Sequence, residues 1–251
     1  MNTTLDTIGI IGAMEEEIEL LKKKIGPLGS YTRGGNTFYI GELHGLKIVL
    51  LKSGIGKVNA TIGATLLMSR YNPICIINTG SAGAVFRDLE IGDVVISSDV
   101  VHHDVDVTAF DYAYGQVPQM PPTFLPHEDL IKMAEDAAKQ LPGINVSRAG
   151  IATGDSFMND QDEIQKIRDL FPTVAAIEME AAAIAQTCHQ FNKPFVIIRA
   201  ISDKADAGAA VSFETFIKKA ADNSAKMVLE MILELKGYID QKEYERSLEA
   251  E

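Results

Sequence analysis

Residues 173–203 read TVAAIEMEAAAIAQTCHQFNKPFVIIRAISD. The opening apolar run, residues 173–177, predicts a buried strand, and the alanine-rich stretch 181–190 predicts a helix. Residues 194–200 are apolar apart from Arg199 and predict a second buried strand. The same alternation continues on both sides. Downstream, helical spacing resumes over 213–235. Upstream, residues 146–153 predict a strand, 160–170 a helix and 128–140 another helix. At the start of the chain, residues 7–12 read as a buried strand ending in a turn. A helix follows from about Met14, with Ile18, Leu21 and Ile25 at spacings of three and four. Residues 38–43 and 46–52 predict a strand pair around the His44-Gly45 turn. Residues 53–57, SGIGK, then break the chain before a helix over 58–69. Residues 74–78 predict a buried strand closed by the turn TGSAG at 79–83, and residues 93–97 predict another. Residues 111–127, with Pro118, Pro121, Pro122 and Pro126, predict an irregular segment with a functional or interfacial role.

Strands alternating with helices predict an α/β fold, a largely parallel sheet with helices on both faces. The strand pair around His44 adds antiparallel character, so the expected sheet is mixed. With no internal repeat and no low-complexity linker, residues 1–251 are expected to form one domain. Its core covers about 7–235, and an acidic tail over 236–251 either continues the last helix or frays.

A chain of 251 residues has a folded surface of roughly 11,000 Å² against roughly 40,000 Å² when open, enough burial for a large core. Hydrophobic residues make up 46%, which excludes a disordered class. A net charge of −12 and the absence of a basic stripe argue against nucleic acid. No apolar run is long enough to span a membrane, and the N-terminus lacks the basic start of a signal peptide. Cys75 and Cys188, both in apolar surroundings, suit a reducing compartment, so the expected location is cytoplasmic.

In open α/β sheets ligands bind at the carboxyl ends of strands. Four such ends carry unusual residues. Glu15, Glu16 and Glu17 open the first helix, where carboxylates also favour the helix dipole. The small residues of 78–83 admit a ligand close to the backbone, or equally make a tight turn. Glu178 and Glu180 sit at i and i+2 between apolar flanks, where burial requires partners. Arg199 and Asp203 end an apolar strand, as an ion pair or as site residues. His102 and His103 are adjacent and face opposite ways on a strand, a poor start for a metal site. Cys188 and His189 do not face each other on a helix, which disfavours a Cys/His nucleophile.

Seven segments, GIIGAMEEE, LLKSGIGKVNA, INTGSAGA, HHDVDVTAFDYAYGQVP, TGDSFMN, AIEMEAAAIA and RAISDKAD, occur here in one order. In these the chain strongly resembles 5′-methylthioadenosine/S-adenosylhomocysteine nucleosidases, within the purine nucleoside phosphorylase superfamily. The likeness runs from about residue 7 to 235. Ala84 stands where many relatives have Gly, and Ser156 where others have Ala; neither change removes a functional side chain.

The resemblance implies hydrolysis of the bond between adenine N9 and ribose C1′ in 5′-thio-adenosines, and in 5′-deoxyadenosine. It places the reaction in methionine salvage and in recycling S-adenosylmethionine by-products, with no cofactor and no metal. By residue matching it assigns Glu17 as the base for water and Asp203 as the acid protonating adenine N7. Ser81 and Arg199 hold the water, Glu180 accepts from the ribose hydroxyls, and Met179 packs beneath the sugar. Phe157 stacks on adenine, the Met158 backbone reads its edge, and Gly83 lets the chain approach. Met14, Ile55 and Phe213 line the 5′ pocket. Val107 and Phe110 join them from the neighbouring subunit of an implied homodimer.

The chemistry demands such a set. A departing adenine anion needs a proton, and an Asp that supplies it must stay protonated near neutral pH, which requires burial or anionic neighbours. Two rival readings keep the fold. A phosphorylase needs a cationic cradle for phosphate, where Glu17 would repel a dianion. A catalytically silent nucleoside-binding homologue has no need of a base opposite an acid.

Overall fold

The computed structural model describes residues 6–86, 88–206 and 208–249. Residues 1–5 and 250–251 of the expected domain lie outside these. Strand β1 (Thr7–Gly12) leads into helix α1 (Glu15–Ile25), then β2 (Gly29–Arg33), β3 (Asn36–Leu43), β4 (Leu46–Lys52), α2 (Lys57–Tyr71), β5 (Cys75–Ala84) and β6 (Val94–His102). One 3-10 turn at Thr108–Phe110 precedes the proline segment. After it come α3 (Glu128–Ala138), β7 (Val146–Thr153), α4 (Gln161–Leu170), β8 (Val174–Glu178), α5 (Ala181–Gln190), β9 (Phe195–Asp203) and α6 (Ala209–Glu249).

The strands form one nine-stranded mixed sheet, ordered β2-β3-β4-β1-β5-β8-β7-β6-β9. β1 runs parallel to β4 and β5, β9 parallel to β5, and β7 parallel to β6 and β8. The pairs β2–β3, β3–β4, β5–β8 and β6–β9 are antiparallel. Alternation along a strand feeds the two faces. In β9, Val196, Ile198 and Ala200 enter the core packed against α3 and α6, whereas Phe195, Ile197 and Ile201 enter the core shared with α2 and α5.

The structure departs from the simple open sheet in one respect that matters for the site. β5 pairs with both β8 and β9, so β5, β8, β7, β6 and β9 close on themselves. A bulge between Ala82 and Gly83 bends β5, and beyond it Gly83 pairs with Ile177 and Ala84 with Ala176 of antiparallel β8. That meeting brings the carboxyl end of β8, with Glu178 and Glu180 behind it, to the carboxyl end of β5.

Several boundaries differ from the sequence reading. The stretch 79–83, expected as a turn, is strand: Gly80 pairs with Arg199 and Ser81 with Ala200 on β9. Its small residues serve close packing instead of chain reversal. β6 and β9 run on to His102 and Asp203, past the apolar residues that betray a strand. β2 was not foreseen, because as an edge strand it is mostly exposed and carries no apolar alternation. α6 begins at Ala209 and continues through Glu249, so the tail extends the last helix.

Candidate active site

Four carboxyl-end segments converge on a cavity of about 480 Å³, lined by Met14, Glu17, Ile55, Ser81, Gly83, Phe157, Met179, Glu180, Asp203 and Phe213 among others. Helix α1 sets Glu17 one turn in from its start, and the side chain turns back over the β1–α1 loop. Its Oε2 accepts from the Ala13 N–H at 2.8 Å and the Met14 N–H at 3.1 Å. Its Oε1 accepts from the Ser81 N–H at 2.9 Å and the Ser81 hydroxyl at 3.0 Å. Glu15 and Glu16 follow other courses: Glu15 pairs with Lys22 and Lys52, and Glu16 is exposed.

Arg199 is fully buried on β9, on the face of Ile197 and Ile201. Its Nη2 donates to Glu178 Oε2 at 2.5 Å and to Asn78 Oδ1 at 2.9 Å, and Nη1 donates to the Ser81 carbonyl at 3.3 Å. Glu180 Oε2 is 3.5 Å from Nη2, and Glu17 Oε1 is 3.9 Å from Nη1. Burial by itself would lower the guanidinium pKa, but Glu178, Glu180 and Glu17 together raise it. Gly80 makes room for this cluster, since a Cβ there would lie 2.5 Å from both Arg199 Nη1 and Glu17 Oε1.

Glu178 ties the cluster to α5. Its carboxylate accepts from the Glu180 N–H at 2.9 Å, from the Ala181 N–H and from the Thr153 hydroxyl, satisfying donors at the start of the helix. Glu180, 4% exposed, accepts the Gly56 N–H at 2.8 Å. Burial, then the neighbouring Glu178 carboxylate, push Glu180 up to about 8 despite Arg199.

At the other strand end Asp203 is 3% exposed. Its Oδ1 accepts from the Ala205 N–H and its Oδ2 from the Ser202 hydroxyl, both at 2.9 Å. Burial raises its carboxyl above the usual range, against the lowering effect of those two donors. Gly83 lies against it, where a Cβ would be 2.8 Å from Oδ1. Phe157 and Phe213 meet edge-on at the cavity wall, with centroids 5.8 Å apart and planes at 76°. Met158 lines a small adjoining hollow of about 30 Å³ beside Gly83 and Asp203.

Val107 and Phe110 are absent from the residues lining this cavity; Phe110 is 74% exposed on the 3-10 turn. His102 bonds to Gln186, and His103 packs its ring against Gly154. Cys188 is buried and its thiol is pushed up by burial. Residues that sequence reasoning left without a role, Glu178, Asn78 and Thr153, form the frame holding Arg199. The signal for Glu178 was its spacing from Glu180 within an apolar stretch.

Carboxylates backed by a buried arginine, and an aspartate whose pKa burial raises, at one apolar-walled cavity define an α/β enzyme acting on a nucleoside-sized substrate. A family model described as the phosphorylase superfamily matches residues 7–233. The chain is 52% identical over 225 residues to a 5′-methylthioadenosine/S-adenosylhomocysteine nucleosidase of Bacillus subtilis, covering 90% of this chain and 97% of that one. Among solved structures, the nucleosidase of that name from Neisseria meningitidis, in complex with methylthio-immucillin-A, superposes with a TM-score of 0.89. It is 50% identical, with 91% of this chain and 99% of that one covered. A nucleosidase from Colwellia psychrerythraea in complex with adenine gives a TM-score of 0.90 at 44% identity, covering 92% and 96%. This chain belongs to the 5′-methylthioadenosine/S-adenosylhomocysteine nucleosidase family of that superfamily.

Proposed function

We propose that Glu17 and Asp203 act as base and acid from two sides of the 480 Å³ cavity that both line, and that this pair carries the reaction. The enzyme hydrolyses the N-glycosidic bond of 5′-methylthioadenosine and S-adenosylhomocysteine, releasing adenine and the 5′-thioribose product. 5′-Deoxyadenosine is a further substrate. Asp203, whose carboxyl pKa burial raises, donates in its protonated form to adenine N7 while its other oxygen accepts from the 6-amino group. As the bond to N9 breaks, positive charge grows on the ribose, and Glu180 beneath the sugar accepts from its hydroxyls and, in its ionised form, stabilises that charge. Water placed by Ser81, beside a Glu17 carboxylate that Arg199 flanks at 3.9 Å, loses a proton to Glu17 and adds to C1′. Met179 packs under the sugar, Phe157 stacks on the base, and the Met158 backbone and Gly83 fit the base edge.

Water and the nucleoside suffice for this chemistry. The rival phosphorolysis is disfavoured because the nucleophile end holds Glu17, while Arg199 is already engaged by Glu178, Asn78 and the Ser81 carbonyl. Met14, Ile55 and Phe213 surround the 5′ group. Val107 and Phe110 complete the pocket of a second copy in a homodimer, a reading supported by the exposure of Phe110. Among the described residues no helix is long and apolar enough to cross a membrane, and the proposed location is cytoplasmic. The test is to compare turnover with binding in Asp203→Asn and Glu17→Gln. Each is expected to lose about 10²-fold or more in kcat while still binding the nucleoside. Near-full turnover in either variant overturns its role.

A further inference from the structure

Helix α2 begins beside the cavity with Gly56 as its N-cap, and no side chain of its own satisfies the first free N–H. That N–H, on Lys57, is instead taken by Asp155 Oδ1 at 2.8 Å, from the loop after β7. Asp155 is itself held, its backbone N–H donating to Asp104 Oδ2 at 3.1 Å. The other oxygen of Asp104, in the loop after β6, accepts from Lys57 Nζ at 2.7 Å. Three loops that are remote in sequence thus meet in one closed set of bonds, on side chains of Lys57 and Asp104 that are 22% and 29% exposed. The residue between this set and the cavity is Gly56. Its φ of +94° suits glycine, a Cβ there would lie 3.0 Å from Asp155 Oδ1, and its N–H donates to Glu180 Oε1.

We propose that Asp104, Lys57 and Asp155 form a clasp that fixes the Gly56 N–H on Glu180, making these three positioning residues for the grip on the ribose. The proposal rests on the reading of Glu180 as the acceptor of the ribose hydroxyls. Apart from Gly56, the Glu180 carboxylate has one polar partner in the cluster, Arg199 at 3.5 Å, so the Gly56 N–H is the close bond that orients it. Within the helix start, Asn59 Nδ2 also donates at 2.7 Å to the Ile55 carbonyl, on the same peptide plane as that N–H. If the clasp opens, α2 loses its borrowed cap and the Gly56 peptide is left on the Asn59 bond alone, which loosens its hold on Glu180. The same loops carry Ile55 and Phe157, yet the base-holding Asp203 is bonded separately by Ala205 and Ser202. Loss of the clasp should therefore be felt most at the ribose, with a smaller effect at the adenine end, where Phe157 shares the loop of Asp155.

The experiment compares Asp104→Ala, Lys57→Met and Glu180→Gln in the full chain. Binding of a non-hydrolysable C-nucleoside analogue of methylthioadenosine is measured beside binding of adenine alone. Asp104→Ala and Lys57→Met are each expected to weaken the nucleoside about tenfold and to leave adenine within about twofold. Combined with Glu180→Gln, either should add nothing further, because both act through the same carboxylate. Equal losses for adenine and nucleoside, or full additivity with Glu180→Gln, overturn the clasp as a positioning device. Wild-type binding in both clasp variants with an impaired Glu180→Gln overturns it while leaving the ribose reading intact. Wild-type binding in Glu180→Gln overturns the ribose reading itself. Lys57→Met keeps the test decisive if Asp104→Ala fails to fold.

Discussion

Arg199 is held by Glu178 and only approached by Glu17: its Nη2 lies 2.5 Å from Glu178 Oε2, whereas Nη1 stands 3.9 Å from Glu17 Oε1. Glu178 balances the buried cation, so Glu17 is left to its backbone and hydroxyl donors and to the cavity. The arginine serves as a fixed post between two carboxylates with different tasks.

Removing that balance leaves a buried charge with weaker compensation. Glu178→Ala is expected to destabilise the fold by about 3–5 kcal/mol, read from denaturant unfolding. Glu178→Gln should lose less stability and still depress turnover, because Arg199 and the Glu180 N–H both lose their charged acceptor. A Glu178→Ala variant as stable and active as wild type would contradict this assignment.

Gly80→Ala tests the packing that admits the cluster. A methyl group there meets Arg199 Nη1 and Glu17 Oε1 at 2.5 Å, so one of them must move. Turnover should fall at least about tenfold and the melting temperature should drop, as overpacking costs roughly 1–3 kcal/mol. Normal kinetics in that variant would mean that Glu17 has freedom the structure does not provide.

The raised carboxyls give stability a pH signature of definite sign. A group whose folded pKa exceeds its unfolded value contributes stability that is present below the unfolded pKa and lost as pH rises through the folded one. For Glu180 this window runs from its ordinary 4.5 to about 8. Asp203 adds a loss in the same direction, beginning above 3.8. Unfolding midpoints across that range should fall more steeply in wild type than in Glu180→Gln or Asp203→Asn. Parallel curves would mean that neither carboxyl is raised.

The alternation of apolar runs with helical spacing was enough to read the order of most elements, since residues 146–153 and 181–190 announce β7 and α5 by pattern alone. Strand ends that stop being apolar were misjudged. β5 continues through Thr79, Gly80 and Ser81 because β9 pairs alongside it, a tertiary cause with no local mark. Glu180 and Asp203 stood out as charges against apolar flanks, whereas Glu17, one of three acids opening α1, was singled out only by the family resemblance. Closure of the ring through β5 and β8, which places Glu178 on Arg199, depends on contacts between segments far apart in the chain. The clasp was hidden for the same reason, its residues lying 47 and 98 positions apart.

A second copy should complete the cavity. Sedimentation is expected to give a particle of twice 27.3 kDa. Phe110→Ala, altering a side chain 74% exposed in the single chain, should raise KM for methylthioadenosine. A monomer with wild-type KM in that variant would remove Val107 and Phe110 from the pocket.

In the proposed reaction, water activated by Glu17 attacks the nucleoside. This is tested most directly by adenine release from 5′-methylthioadenosine in phosphate-free buffer, with the sugar product identified by mass. Equal rates with and without phosphate, and free methylthioribose as the product, are expected. Strict dependence on phosphate, with methylthioribose 1-phosphate as the product, would contradict attack by water.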